Sequence, residues 1–381
     1  MNVDKKLIYI ANVRLPTEKA HGVQIMKTCE ALANQGVQVE LVVPDRRNFL
    51  RADPFDFYKV NNNFTITRLK CWDLISDNRW GRAGYWLESL TFFYSLKKYL
   101  RSTSDCNLYT RDLPIAFLLG VVGKSFYYEI HTLPDKIGWF YKQVWRRATG
   151  LMVISGGIKN DLIKNGVASA KIFVVPDAVD IKQFTIAESR SACRKLLKIP
   201  LDKLVAAYSG HLYAWKGAST LAEAAELLPE IEIYLVGGTA DDVRSFKDKY
   251  KQFQNLHIVG WQEHRQIPYW LKAADVLILP NSGRQKIGAI YTSPLKLFEY
   301  MATERPMVVS DLPAIREVVD ETSATLFEAD NPASLAQSIR AVFQNMAVAE
   351  AKAKIARAKV DEFYSWDTRA VNIASIIIGK N

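Results

Sequence analysis

The segment Tyr291-Thr-Ser-Pro-Leu-Lys-Leu-Phe-Glu-Tyr-Met-Ala302 joins a helix start, a lysine and a carboxylate. Ser293 is placed to cap the helix, and Pro294 suits its first position, where a missing N–H costs nothing. The free N–H groups of Leu295 and Lys296 then stand at the positive end of a helix dipole, which attracts phosphate. Lys296 adds a full charge. Glu299, three residues on, lies near it on the helix surface. A carboxylate there can accept hydrogen bonds from two vicinal hydroxyls, as on a ribose. The plainer alternative is a capped helix carrying a surface ion pair.

Ser209-Gly-His-Leu-Tyr-Ala-Trp-Lys-Gly217 is a second such turn, between a strand pattern and a helix pattern. Gly210 allows close approach of backbone to a ligand. His211 and Lys216 can both face a phosphate, and Gly217 opens the following helix. Gly237-Gly238 marks a third tight turn. His21-Gly22 is expected in a loop ahead of the first helix. That loop has neither G-x-G-x-x-G nor G-x-x-x-x-G-K-[ST], which counts against a dinucleotide dehydrogenase and a P-loop NTPase. Glu129-Ile-His131 closes a strand, and a strand-end histidine in an α/β domain sits at the ligand edge; a structural histidine is the competing reading. No H-E-x-x-H, no D-x-D after a strand and no G-x-S-x-G occurs, so metal hydrolysis and serine-hydrolase chemistry lose support.

Buried-strand runs are expected at Leu7–Ile10, Val37–Val43, Phe64–Leu69, Asn107–Thr110, Phe126–Ile130, Leu151–Ile154 and Ile172–Val175, with helical patterns between most of them. After Phe184 the pattern restarts, with strands at Leu204–Ser209, Ile231–Val236, His257–Val259, Val276–Leu279 and Met307–Ser310. Helical runs at Gly217–Leu228, Ala240–Tyr250, Arg265–Ala273 and Leu295–Ala302 separate these. Alternating strands and helices mean parallel sheets with helices on both faces. The expected fold is α/β, with two doubly wound Rossmann-like domains over residues 1–180 and 181–362, facing a cleft. A last helix within 363–381 is expected to cross back to the N-terminal domain.

The 381 residues are 49% hydrophobic and 24% charged, ordinary for a globular chain. Four scattered cysteines without a C-x-x-C pair argue for a reducing compartment and against a zinc site. The opening MNVDKKLIYIANV lacks a long apolar region and a small-residue cleavage site, so a secretory leader is not expected. The net charge is +10, and residues 1–180 hold 25 Lys and Arg against 17 Asp and Glu. A basic half suits a polyanionic partner, such as a membrane surface or a phosphorylated acceptor. No stacking platform or helix-turn-helix supports nucleic acid.

Together these motifs resemble the retaining, GT-B-fold glycosyltransferases of family 4, the glycosyl transferases group 1, over nearly the whole chain. Pro16–Val43 is similar to the family's opening loop, helix and second strand, and Tyr128–His131 to its strand ending in His. Val174–Phe184 resembles its interdomain V-I-P-N-G-V-D-x-x-x-F, and Gly210–Gly217 its G-R-x-x-x-x-K-G. Val259–Pro280 looks like its nucleotide-base segment. Glu299–Ala302 and Pro306–Glu317 look like its E-A-M-A-x-G-x-P-V-V-A-S…E, and Trp366 like its Trp near the C-terminal helix.

The resemblance implies that Glu299 binds the donor ribose and Lys216 the donor diphosphate. Backbone N–H groups of Leu295 and Lys296 would hold the distal phosphate. Gly22, with His21, would bring the first loop to donor and acceptor, and His131 would lie beside the transferred sugar. Four features depart from the family pattern. Tyr291 stands where the family has a second Glu, His211 where it has Arg, and Asp177-Ala178 where it has Asn-Gly; Asn281–Ile290 looks like an insertion.

The expected activity is transfer of a sugar from a UDP- or GDP-sugar to a glycan or lipid-linked acceptor, with no metal and no cofactor beyond the co-substrate. Lys216, Lys296, His211 and a helix N-terminus suit a doubly charged leaving group. The alternative is a degenerate relative that binds without turnover. Residues 72–101 and 139–147 mix Trp and Tyr with Lys and Arg, a pattern suited to a bilayer interface. Peripheral attachment to the cytoplasmic membrane face is therefore expected. Against it, Phe92, Leu96 and Tyr99 at helical spacing would form core.

Overall fold

A computed structural model describes residues 6–73, 81–103 and 106–379. It divides into two compact units. The first comprises residues 1–154, 158–176 and 366–381, the second residues 155–157 and 177–365. These bounds lie a few residues from the expected divisions at 180 and 363, because Val179 pairs with Ser365, which holds the intervening residues in the second unit.

The first unit carries β1 (Lys6–Ile10), β2 (Gln38–Asp45), β3 (Thr65–Lys70), β4 (Asn107–Thr110), β5 (Tyr127–Ile130), β6 (Gly150–Val153) and β7 (Ile172–Val174). They form one sheet in the order β3-β2-β1-β4-β5-β6-β7, with every pairing parallel. The second unit carries β8 (Leu204–Ser209), β9 (Ile231–Val236), β10 (Leu256–Gly260), β11 (Val276–Leu279), β12 (Met307–Ser310) and β13 (Thr325–Phe327). Their order is β10-β9-β8-β11-β12-β13, again all parallel. Both orders reverse once, at β1/β4 and at β8/β11. Such a reversal parts the loops at the carboxyl ends of the strands and leaves a ligand crevice there.

Both faces of each sheet are covered, so central strands read as unbroken apolar runs. In β11, Leu277 and Leu279 join one core and Val276 and Ile278 the other, as the two-residue strand period requires. The C-terminal helix, Trp366–Ile377, belongs to the first unit. It packs on the first helix, Ala20–Asn34, and its Ile376 carbonyl accepts a hydrogen bond of 3.2 Å from Tyr127.

Two expected helix starts are corrected. The first helix begins at Ala20, so His21 and Gly22 lie in its first turn and not in a loop. The Gly22 N–H closes that turn on the Lys19 carbonyl at 2.9 Å. A Cβ on Gly22 would stand 2.2 Å from the Tyr58 hydroxyl and 2.7 Å from the Thr17 methyl. Tyr58 in turn accepts from the Thr17 N–H at 2.6 Å and donates to the Thr17 carbonyl at 2.8 Å. The glycine is thus explained by packing inside the unit. At the other helix, Pro294 is the N-cap, and the Ser293 hydroxyl does not cap. It accepts instead from the Asp177 N–H at 2.9 Å.

Candidate active site

In the second unit, the turn after β8 brings three cationic side chains together. Gly210 has φ +135°, and a Cβ there would overlap Lys296, 1.8 Å from Cε and 1.9 Å from Nζ. The Lys296 amine therefore lies on the Gly210 backbone. Lys216, on the turn Ala214–Lys216 that Gly217 ends, reaches the same place, with its Nζ 4.6 Å from the Trp215 ring centre. Burial, then repulsion from Lys296, holds the Lys216 ammonium well below its usual range. Burial also lowers Lys296, with Glu299 pulling the other way. His211 is lowered by burial and then by both lysines, and its ring stacks on Tyr213 at 4.9 Å. Gly237, after β9, donates its N–H to the Gly260 carbonyl at 2.8 Å beside this turn.

The second unit's expected cations and carboxylate thus converge. The two amines share the Glu299 carboxylate, and Asp242 acts on the imidazole, so the lysines repel each other where charge is hardest to solvate. An anion with two phosphates relieves that repulsion. The N–H groups of Leu295 and Lys296 begin the Leu295–Ala302 helix, where first-turn donors have no intrahelical partner. Glu299 also meets His264, a residue the motifs did not single out, with Oε1 3.8 Å from Nε2. The Gln183 amide lies 2.7 Å from His264 Nδ1. If that nitrogen accepts from the amide, Nε2 carries the proton and faces Glu299.

Tyr291, at the position of the family's second carboxylate, is buried at the end of a π-helical turn, Ile287–Tyr291. Its carbonyl accepts from the Ser155 hydroxyl at 3.2 Å. The expected insertion 281–290 is this turn and the loop before it, tied down where the Ser282 N–H meets the Trp215 carbonyl at 3.0 Å.

In the first unit, His131 follows β5 and is held from below. Its Nε2 lies 2.7 Å from Glu129 Oε1. Arg369, from the C-terminal helix, donates to the same oxygen at 2.5 Å, and Tyr109 donates to Oε2. Arg369 also donates to the carbonyls of Val175 at 2.6 Å and Pro176 at 2.5 Å. Burial pushes the Glu129 carboxyl up, but Arg369 and His131 outweigh it and hold it below the carboxylate range. His21 faces this group from the first helix. Burial, then Arg111, Lys19 and His131, lowers its imidazole to about 4, so it is neutral at ordinary pH. No local pattern marks Arg369 or Tyr109 as functional, since each acts through a residue distant in the chain.

Further along the same sheet edge, Arg14 and Arg46 share the buried Glu88 at 3.6 and 3.5 Å, and Arg14 also meets Asp73 at 2.6 Å. Asp112 accepts from the Ile115 N–H at 3.1 Å, and burial raises its carboxyl to about 6.

The aromatic and basic segments are split by the fold. Phe92, Leu96 and Trp145 are core, as their helical spacing allows. Trp72, Leu90, Tyr94 and Trp139 are more than 45% exposed. Lys70, Trp72, Leu87, Leu90 and Tyr94 line a surface groove of about 590 Å³. Residues 74–80 of this stretch lie outside the described residues. No helix among the described residues is long and apolar enough to cross a membrane.

Two parallel sheets of this strand order, one with a cation cluster on glycine turns at its carboxyl edge, define an α/β protein of the GT-B fold. Solved structures share it. Sucrose-phosphate synthase from Thermosynechococcus elongatus superposes with a TM-score of 0.77 at 18% identity, covering 97% of this chain and 98% of that one. HepE of Anabaena in complex with UDP-glucose superposes at 0.75 and 14% identity, covering 98% and 100%. At these identities the likeness speaks for the fold. Residues 21–183 match the family model described as Glycosyltransferase Family 4, and residues 203–345 that described as Glycosyl transferases group 1. The chain belongs to this family of glycosyltransferases. A curated relative, D-inositol 3-phosphate glycosyltransferase of Xylanimonas cellulosilytica, is 25% identical over 249 residues, 62% of this chain. The match spans 58% of that relative's length.

Proposed function

We propose that this protein transfers a sugar from a nucleoside diphosphate donor to a hydroxyl of a glycan or lipid-linked acceptor, in the synthesis of surface polysaccharide or glycolipid. The observation that carries this reading is the Lys216–Lys296–His211 cluster beside Glu299, whose lowered lysines need an anion more than they need solvent. Lys216 and Lys296 neutralise the diphosphate as it leaves, when its charge is largest, so they favour the transition state over the ground state. The helix N-terminus at Leu295 adds N–H donors, and Glu299 takes the ribose hydroxyls. With a cationic site of this kind the reaction runs without metal.

Tyr291 offers no carboxylate at the family's second position. The reading is therefore retention by front-face attack, assisted by the leaving phosphate, and not a double displacement. His131 acts at the transferred sugar, the role the family resemblance gives it. The relative named for inositol 3-phosphate and the basic surplus of the first unit both favour an acceptor with negative charge. Trp72, Tyr94 and Trp139, with the exposed Lys97, Lys98 and Arg101, suit peripheral attachment to an anionic membrane face.

A thermal-shift screen over UDP-, GDP- and ADP-sugars tests the donor. A nucleotide at about 100 times its Kd adds ~2.7 kcal/mol of stability. The buried Tyr291 ring supports one other reading, a protein that binds the donor without turning it over. Sugar release from the stabilising donor excludes it, and binding with no release establishes it.

A further inference from the structure

Glu129 receives three donors on two oxygens, and the arrangement constrains a proton on His131. Oε1 takes Arg369 at 2.5 Å and His131 Nε2 at 2.7 Å, while Oε2 takes Tyr109. An ionised carboxylate only accepts, so the nitrogen facing it must carry hydrogen. Nδ1 has no partner among the described residues.

We propose that Arg369 is a positioning residue for His131: through Glu129 it fixes the neutral imidazole with its proton on Nε2 and leaves Nδ1 as a hydrogen-bond acceptor for a substrate hydroxyl. Glu129 is buried, and burial by itself favours the neutral acid. The Arg369 guanidinium, itself buried and braced on the Val175 and Pro176 carbonyls, keeps the carboxyl ionised. Without that charge, Glu129 takes up a proton and its O–H donates to Nε2. The imidazole proton then moves to Nδ1, and the ring presents a donor where it had presented an acceptor. Arg111 and His21 also face this group from their own elements. Neither takes over the bond to Oε1. The consequence for turnover rests on the glycosyltransferase reading, whereas the tautomer does not.

Long-range nitrogen–proton NMR on the full chain labelled at its five histidines, recorded over a pH series so that the neutral form is identified by its own shifts, reads the tautomer directly. The His131 signal is identified by its loss in His131→Asn. The wild type is expected to carry the proton on Nε2. Arg369→Met is expected to move it to Nδ1, Arg369→Lys to restore Nε2, and Tyr109→Phe to leave Nε2 unchanged. A wild type with the proton on Nδ1 overturns the proposal without any variant, as does Arg369→Met with the wild-type tautomer. If Arg369→Met does not fold, Arg369→Gln, which keeps an N–H donor to Oε1 without the charge, carries the test: Nδ1–H supports the proposal and Nε2–H overturns it. With UDP-glucose hydrolysis as the second readout, Arg369→Met lowers kcat by about 100-fold, the scale of a misplaced group, with KM changed far less. Absence of binding and of sugar release with UDP-, GDP- and ADP-sugars alike in the wild type would instead defeat the glycosyltransferase reading, with the tautomer result standing.

Discussion

The Lys296 amine occupies the space that a Cβ on Gly210 would need. One glycine therefore sets how closely a cation approaches the strand-end backbone, and through it how closely two lysines approach each other. Gly210→Ala is expected to be destabilised, because both the positive φ and the overlap with Lys296 must be relieved. UDP affinity falls in the same variant. Thermal melts with and without UDP check both, and a variant with wild-type stability and affinity removes the claim.

Nucleotide binding should draw protons from solution. The free Lys216 and Lys296 ammonium groups are lowered, first by burial. A bound diphosphate raises them again, so the complex holds more protons than the free protein and affinity falls as pH rises between the free and bound pKa values. Calorimetry of UDP in buffers of different ionisation enthalpy measures the uptake. Lys216→Met is expected to reduce it, to weaken binding, and to melt at a higher temperature than the wild type when free of ligand.

Glu299→Ala is expected to lower UDP affinity by about 10–150-fold, equivalent to roughly 1.5–3 kcal/mol for a hydrogen bond to a charged group. Its melting temperature should fall as well, because Glu299 offsets the buried Lys216 and Lys296, so affinities are compared well below both melting temperatures. Equal affinities in titration calorimetry would remove the ribose role.

Asp112 opposes folding at neutral pH. Its folded pKa of about 6 lies above the ordinary 3.8, so the folded state binds more protons across that window and stability falls as pH rises through it. Asp112→Asn keeps an N-cap acceptor for Ile115 and loses the buried charge. It should gain about 1–3 kcal/mol at pH 7, with the gain vanishing below about pH 4. Urea denaturation at the two pH values decides it.

Membrane attachment predicts flotation with anionic liposomes at low salt and release at high salt, since each basic side chain contributes about 1 kcal/mol near such a surface. Trp72→Ala with Tyr94→Ala should weaken it. A protein that stays with the soluble fraction in every condition has no such surface.

The central strands were legible because they are buried on both faces. Val276–Leu279 and Met307–Ser310 run where their apolar stretches begin and end. The three-residue β13 gives no such run and was not foreseen. Helix starts were less legible. Ser293 has the residue type of a cap, but a partner more than a hundred positions away takes its hydroxyl. The clustered cations of the second unit were legible because each stands at a turn into a helix, His211 and Lys216 after β8 and Lys296 at the start of Leu295–Ala302. Arg369 was not, because its partner Glu129 is 240 residues earlier and only the returning helix joins them.

That separation also bears on the order in which the protein is made. A ribosome adding about 5–20 residues per second needs roughly 10–50 s to travel from Glu129 to Arg369. Throughout that interval the carboxylate under His131 lacks its counter-charge, and the first sheet has no C-terminal helix to cover it. The nascent first unit is thus an unfinished body awaiting the last stretch of chain, while the second unit, β8 to β13, can close behind it. Protease resistance of stalled nascent chains should appear in the second unit before the first, the reverse of the order in which the two are synthesised.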